Sequence, residues 1–417
     1  MNTLKIDPKS MEERKVLYLT YDGISDPLGQ SQILPYLAGL SRFGYRFTIL
    51  SFEKKDRYEK QQAYLREFMK AEKIEWVPLS FSTRPPLLAK FYDAMRMRKK
   101  AIALQQQHKF DMVHCRSYIA ADVGLALKKK FGIKFFFDMR GFWADEKKDG
   151  GSWNTDKLVF RKIYTYYKRK EAEYLQNADA VISLTEAGKK EIMRWDAYNA
   201  KTGIQVIPCC ADMNLFSLTD ENQKKEAKDK LGISGDQLVL SYLGSIGTWY
   251  MLDEMLLFFR QLKVKYQNAK FMFITHSPAD HIFSAAEGHG LKKEDFIIKE
   301  FARKEVPFFM KASDINISFI KPVYSKISSS PTKLGEVLSM GIPVICNSGV
   351  GDVKEIVETS DSGVVINGFT EYDFEQAIAK IPHLLSLQPS AIRMAAADIF
   401  NLDRGIELYK KAYQQIL

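Results

Sequence analysis

The sequence predicts an α/β protein: two Rossmann-like domains facing each other across a cleft, with a last helix crossing back to the first domain. Three observations carry this. The 417 residues exceed what one hydrophobic core sustains, so two domains of roughly 200 residues are expected. Short apolar runs alternate with helical patterns in two successive series, as parallel strands joined by crossover helices require. A polar, lysine-rich stretch, 217–236, lies between the series as linker and entry to the second. The expected units are 13–212, 213–400 and a C-terminal helix within 401–417.

The first series opens with "KVLYLTY" (15–21), ended by Asp22-Gly23, then a helix at about 31–43 and the strand "RFTILSF" (46–52). Strands at 74–80, 111–117, 134–140, 180–185 and 204–209 follow. Helices at about 54–72, 86–107, 119–131, 155–177 and 186–195 lie between most of them. The second series has strands at 237–244, 271–275, 296–301, 315–320, 343–347 and 363–367. Its helices fall at about 251–266, 305–312, 331–340, 352–358 and 371–380, and a final one at about 402–416 is long enough to pack on a neighbour. Two such domains place a ligand between the carboxyl ends of their strands.

Composition narrows the function. Hydrophobic content of 46% with 27% charged residues is that of a soluble globular protein. No apolar run approaches the roughly 18 residues of a spanning helix, and the N-terminus has no secretory apolar region. Cys115, Cys209, Cys210 and Cys346 show no metal-type spacing, so a reduced, cytoplasmic protein is expected. The net charge of +10 belongs to the first half: residues 1–200 hold 37 Lys and Arg against 25 Asp and Glu, and the rest hold 24 against 26. Such a surplus suits an anionic partner such as a membrane surface or a lipid-linked phosphate, or is a solvated face. No nucleic-acid motif accompanies it.

Neither a GxGxxG turn nor a P-loop is present. His276, His281 and His289 have no common zinc spacing and read as a surface loop. "RMRKK" and "YKRK" lie beside Leu87, Leu88, Phe91, Tyr164, Tyr166 and Tyr167. They suit an interfacial membrane face, or a core stripe backed by solvated charge.

The densest chemistry is in "SSSPTKLGEVLSMGIPVICNSGVGD", Ser328 to Asp352. Ser330 suits an N-cap, Pro331 the first helical position and Gly341 the C-terminal stop. The free N–H groups of that helix end suit a diphosphate, to which Lys333 adds a charge. Glu336, one turn on, can accept two hydroxyls of a ribose. A surface ion pair between Lys333 and Glu336 is the plainer alternative.

This segment resembles the donor site of glycosyltransferase family 4, the retaining, nucleotide-sugar-dependent enzymes of GT-B architecture, in its bacterial surface-polysaccharide branch. "YDGISDPLGQSQILPYL", "FDMRGFWADE", "VIPCCADMNLF" and "YLGSIGTWY" are similar to further loops of that branch, so the resemblance spans nearly the whole chain. It implies that Glu336 is the second glutamate of a Glu-x7-Glu motif and binds the donor ribose. Ser328 stands where the first glutamate is expected, and Ser328, Ser329, Ser330, Pro331 and Thr332 are implied around the donor sugar and phosphate. The loop "GSIGTWYM" lacks the usual Arg and Lys. Gly244 and Gly247 would let the backbone approach phosphate, with Ser245 and Thr248 as donors.

On the acceptor side the resemblance implies Gly29, Gln30, Asp138, Trp143, Asp145 and Glu146 along the cleft. Arg140, with Lys333 and Glu336, is implied in the catalytic set, neutralising developing diphosphate charge. A salt bridge from Arg140 to Asp145 or Glu146 is the structural alternative. The implied reaction moves a sugar from a nucleoside diphosphate to a hydroxyl of a glycan or lipid-linked acceptor with retention. No metal or other cofactor is expected, since Lys333 and the helix end take a cation's place. A nucleotide-sugar epimerase of the same architecture is the alternative.

Overall fold

The computed structural model describes residues 13–83 and 85–417; the Leu87 and Leu88 side chains lie outside the described residues. The first sheet comprises β1 (Arg14–Thr20), β2 (Tyr45–Glu53), β3 (Glu75–Ser80), β4 (Met112–Arg116), β5 (Lys134–Asp138), β6 (Ala180–Ser183) and β7 (Ile204–Val206). The second comprises β8 (Val239–Leu243), β9 (Lys270–Ile274), β10 (Phe296–Lys299), β11 (Ile315–Ser318), β12 (Val344–Asn347) and β13 (Gly363–Ile366).

Both sheets are parallel and share one order. They run β3-β2-β1-β4-β5-β6-β7 and β10-β9-β8-β11-β12-β13, so the chain reverses direction across each sheet between β1 and β4 and between β8 and β11. Ligand crevices form at such switch points, beyond the carboxyl ends of the strands. Helices cover both faces of each sheet, which is why β1, β4 and β8 read as apolar runs without alternation.

Several expected boundaries move. The 217–236 stretch contains the helix Glu221–Leu231, capped by Asp220, which accepts from Gln223 N at 2.8 Å, and closed by Gly232 at φ +70°. Short helices Trp143–Asp149 and Ala279–Gly288, and the helix Pro389–Phe400, occupy sequence read as loop. The fifth strand stops at Asp138, which frees Met139–Phe142 as a loop.

The two crossings between domains are adjacent: Ala211 N donates to Phe400 O at 2.7 Å. The last helix, Leu402–Gln414, packs on the first domain, where Tyr409 and Tyr413 are buried. Gly39 makes room for it, because a Cβ there would lie 2.3 Å from Ile406. Among the described residues no helix is long and apolar enough to cross a membrane. All four cysteines are free and buried.

Candidate functional site

The candidate site forms where the carboxyl ends of the two sheets meet. On the second domain it is built on the helix Thr332–Ser339. Ser330 does not cap this helix. Pro331 holds the cap position, and Ser330 Oγ instead accepts from Cys209 N of the first domain at 3.1 Å. The helix start therefore faces the domain junction. Gly341, at φ +76°, ends the helix as expected.

Lys333 and Glu336 are both buried, and they do not form the surface pair. The Lys333 ammonium lies 3.7 Å from the centroid of Tyr250 and 4.1 Å from that of Tyr242, and it donates to Tyr242 Oη at 2.9 Å. Tyr242 passes the interaction on, donating to Ser245 O at 2.8 Å. Burial drives the Lys333 pKa well below the usual lysine range, opposed by the Glu336 charge. Glu336 accepts from Arg303 at 2.7 Å. Burial raises its pKa and Arg303 restrains the rise.

The 244–248 loop meets this lysine directly. Gly244 sits at φ +118°, and a Cβ there would lie 3.0 Å from Lys333 Nζ. Ser245, Gly247 and Thr248 are exposed, leaving their polar groups open. Replacing Gly244 by alanine is expected to impose a strained backbone of about 1–3 kcal/mol and displace the ammonium. Differential scanning calorimetry and turnover should fall together; loss of neither would separate this glycine from Lys333.

The serines next to the helix join the domains. Ser328, buried, accepts from Phe142 N at 2.9 Å and donates to Ser325 O at 3.0 Å, so its hydroxyl is committed to a first-domain loop. Ser329 O packs against Gly351, where a Cβ would approach to 2.2 Å. Pro331 and Thr332 are half-buried at the helix start. Lys326 donates to Glu146 at 2.7 Å, and Asp352 accepts from Glu186 N and Ala187 N at 2.7 and 2.9 Å. Asp352 thereby caps a helix of the opposite domain.

On the first domain, Arg140 has φ +58° and a nearly buried side chain. It bridges neither Asp145 nor Glu146. Its Nη2 donates to Cys209 Sγ at 3.2 Å and its Nη1 lies 3.9 Å from Asp138. Its pKa is held well above the usual range: burial opposes the charge, and Cys209 and Asp138 favour it.

Asp138 is not at an open cleft mouth. It is 1% exposed, accepts from Tyr409 Oη at 3.0 Å and lies 3.4 Å from His114 Nε2. Burial works against its charge, but Arg140, His114 and Arg116 prevail and lower its pKa. The same enclosure lowers that of His114.

Two further expectations are corrected. Asp145 is buried and accepts from Tyr164 at 2.7 Å and Lys168 at 3.0 Å, and Glu146 is held by Lys326. The Asp145 carboxylate is enclosed by these partners, whereas Glu146 is paired but keeps part of its side chain exposed. Gly29 is buried beneath the first loop, where a Cβ would stand 2.3 Å from Gly23 O; its role is close packing. Gln30 is half-exposed and donates to Ser25 O at 3.2 Å. Trp143 lines a cavity of the first domain with Asp22 and Lys147.

Sequence reasoning missed Arg303, the tyrosine pair around Lys333, and Glu53. The last holds the first loop in place by accepting from Ile24 N and Ser25 N at 2.8 and 3.0 Å. An acid closing the apolar run "RFTILSF" was the available signal for Glu53. Of the histidines, His276 pairs with Glu300 and His289 with Asp253. Among the described residues no group of three or more His, Cys, Asp and Glu is arranged to hold a metal ion.

No curated protein sequence matches the chain significantly. Solved structures match throughout its length. Sucrose-phosphate synthase from Thermosynechococcus elongatus superposes with a TM-score of 0.75 at 13% identity, covering 97% of this chain and 99% of that one. HepE of Anabaena, in complex with UDP and glucose, gives 0.71 at 14% identity over 96% and 100%. WaaG, a glycosyltransferase involved in lipopolysaccharide biosynthesis, gives 0.67 at 14% over 95% and 98%. At these identities the likeness shows the fold, which is GT-B. Family models match residues 33–215 as Glycosyltransferase Family 4 and 223–397 as Glycosyl transferases group 1. With the two models covering both domains, the chain belongs to the glycosyltransferases, its first domain of family 4 and its second of group 1.

Proposed function

We propose that this chain is a retaining glycosyltransferase of bacterial cell-surface polysaccharide synthesis, moving a sugar from a nucleoside diphosphate to a hydroxyl of a glycan or lipid-linked acceptor. The observation that carries this is the separation of Lys333 from Glu336. One turn of helix presents a cation with no carboxylate within 4 Å among the described residues, and a buried carboxylate, beside the exposed 244–248 loop. That combination suits a diphosphate joined to a ribose.

In this reading Glu336 accepts the ribose hydroxyls, exchanging its Arg303 contact for them. The N–H groups at Thr332 and Lys333, the Lys333 ammonium and the backbone at Gly244 and Gly247 receive the leaving diphosphate. Arg140 adds positive charge from the first domain. The diphosphate oxygen assists the incoming hydroxyl on the same face as departure, which gives retention without a pair of catalytic carboxylates. Nothing in this scheme calls on a resident metal. The complexes of HepE with UDP and with UDP-glucose, and the involvement of WaaG in lipopolysaccharide biosynthesis, support a sugar-nucleotide donor and a surface-glycan setting.

The reading includes peripheral attachment at the cytoplasmic face of the membrane. The helices Pro86–His108 and Leu158–Asn177 leave Phe91, Tyr92, Met95, Leu158, Val159 and Tyr166 exposed, next to exposed Arg98, Lys99, Arg161 and Lys162. Apolar contact with attraction to anionic lipid follows from such a face. Sedimentation with anionic vesicles at low salt should exceed that with neutral vesicles; equal sedimentation would remove the membrane from the proposal.

The function itself is tested by melting the protein with UDP, GDP, ADP, CMP and NAD in turn. One nucleoside diphosphate should raise the melting temperature clearly, because a ligand that binds the folded state stabilises it by mass action. No shift with any would defeat the donor-site reading. Turnover of the matching sugar nucleotide without an acceptor, to an epimer, would replace transferase by epimerase.

A further inference from the structure

We propose that the first-domain cavity at Trp143 binds a phosphate group carried by the acceptor. The proposal rests on the glycosyltransferase reading and adds to it the chemical class of the acceptor. The cavity, about 270 Å3, lies at the carboxyl ends of β1, β2 and β4, and its charged lining is Asp22, Asp26, Lys54, Lys90, Arg116 and Lys147. Four cations thus face two acids, and the acids are already engaged. Asp26 accepts from Lys54 at 2.9 Å and from Arg57, and Asp22 lies 3.4 Å from Arg116 Nε.

Lys90 and Lys147 are left over. They come from different helices, and each places its ammonium 5.8 Å from the Trp143 ring centroid, near the outer limit of a cation–π contact. Among the described residues neither has a carboxylate within 4 Å. The acids nearest in sequence to Lys147 point elsewhere: Asp145 to Lys168, Glu146 to Lys326, and Asp149 to Ser325 N. Two half-buried like charges held together without a counter-charge oppose folding, and burial with the Lys147 charge lowers the pKa of Lys90 accordingly. Arg116 also lines the cavity: its side chain is 4% exposed, and its Nη1 lies 3.9 Å from Asp138 without a hydrogen-bond partner.

A phosphate ester meets all of these requirements. Its oxygens accept from several cations at once, and its charge removes the repulsion between the lysines. Trp143 offers an apolar ring to the sugar or carbon chain next to the phosphate. A neutral glycan would leave the lysines uncompensated. The cavity is lined by first-domain residues alone and shares none with the donor set of Lys333, Glu336 and the 244–248 loop in the second domain. The phosphate can come from a lipid or from a soluble sugar phosphate, and the chemistry is the same.

The experiment is calorimetric titration of the full chain, at low salt and with saturating UDP, using two probes. One is glucose 1-phosphate and the other is short-chain phosphatidic acid below its micelle concentration. The UDP melting shift is measured on the same preparations of wild type and of the Lys90→Gln, Lys147→Gln double variant. Wild type should bind at least one probe, and the double variant should bind it at least about ten-fold more weakly, having lost two charge-assisted contacts, with its UDP shift intact. Binding of both probes would identify a soluble phosphate ester, and binding of the acylated probe alone a lipid. If the double variant fails to fold, the two single variants carry the same test with smaller losses. Failure of both probes to bind wild type, or undiminished binding by the variants, overturns the proposal. Absence of a UDP shift in wild type would defeat the donor reading instead and leave the phosphate result to be judged by the variants.

Discussion

Glu336→Ala is expected to weaken nucleoside diphosphate binding by at least about 100-fold, the loss of two charge-assisted hydrogen bonds at roughly 1.5–3 kcal/mol each. The fold should survive. Removing one member of a fully buried ion pair costs about 3–5 kcal/mol, but the Arg303 side chain left behind is 35% exposed and lies 5.4 Å from the Phe216 ring. It can reach water while keeping its stacking contact. Glu336→Gln, which keeps one acceptor oxygen, should fall between wild type and alanine. The measurement is titration with the nucleotide that gives the melting shift. An affinity unchanged by Glu336→Ala would remove this residue from the site, whatever its effect on stability.

Lys333→Met is expected to separate activity from stability. Turnover should drop by about 100- to 1,000-fold, the usual loss when one preorganised charge or donor opposite a leaving group is removed. Stability should stay level or rise, because the ammonium is buried and its pKa is driven well below the usual value by desolvation. Methionine fits the space between Tyr242 and Tyr250 and makes favourable sulfur–aromatic contacts there.

The same variant tests a proton balance. The folded-state pKa of Lys333 lies below the ordinary value of about 10.4, so between the two the unfolded chain holds a proton that the folded chain lacks. Stability therefore rises with pH across that window. A diphosphate at the ammonium favours the charged form, so donor binding should take up a proton and weaken as pH increases. Calorimetry in buffers of different ionisation heat reads the proton directly. Equal uptake by wild type and Lys333→Met would assign the proton to another group.

The architecture was legible because both sheets are parallel and covered on both faces, so their strands appear as apolar runs between helical patterns. Gly341 marked a helix end correctly because only a left-handed residue fits there. Two of the helices missed share a cause. Trp143–Asp149 is short and mostly polar, and Ala279–Gly288 follows Ser277-Pro278, which reads as a turn. Neither shows a long enough apolar stripe.

At the candidate site the side-chain pairings were not legible. Lys333 and Glu336 stand one turn apart, which suggests a pair, yet each is held by a side chain brought from a distant segment: Tyr242 across 91 positions and Arg303 across 33. Asp138 looked like a cleft residue because it ends a strand, but the C-terminal helix brings Tyr409 over it from 271 positions away. Asp145 and Glu146 were claimed by Lys168 and Lys326 in the same way. Contacts of that span leave no local pattern.

Asp352 caps a helix that belongs to the opposite domain, while Ser328 and Lys326, beside the donor helix, grip the Phe142–Glu146 segment. Under the proposed donor reading, approach of the domains and ordering of the donor segment are one equilibrium. Thermodynamic reciprocity then works in both directions: a nucleotide that steadies residues 324–336 draws the domains together, and cutting the Asp352 cap lowers nucleotide affinity by the same coupling energy. On that reading the spent nucleotide would leave when this clasp lets go. The frequency with which a few hydrogen bonds break across the domain boundary would then set a ceiling on how often the enzyme can fire.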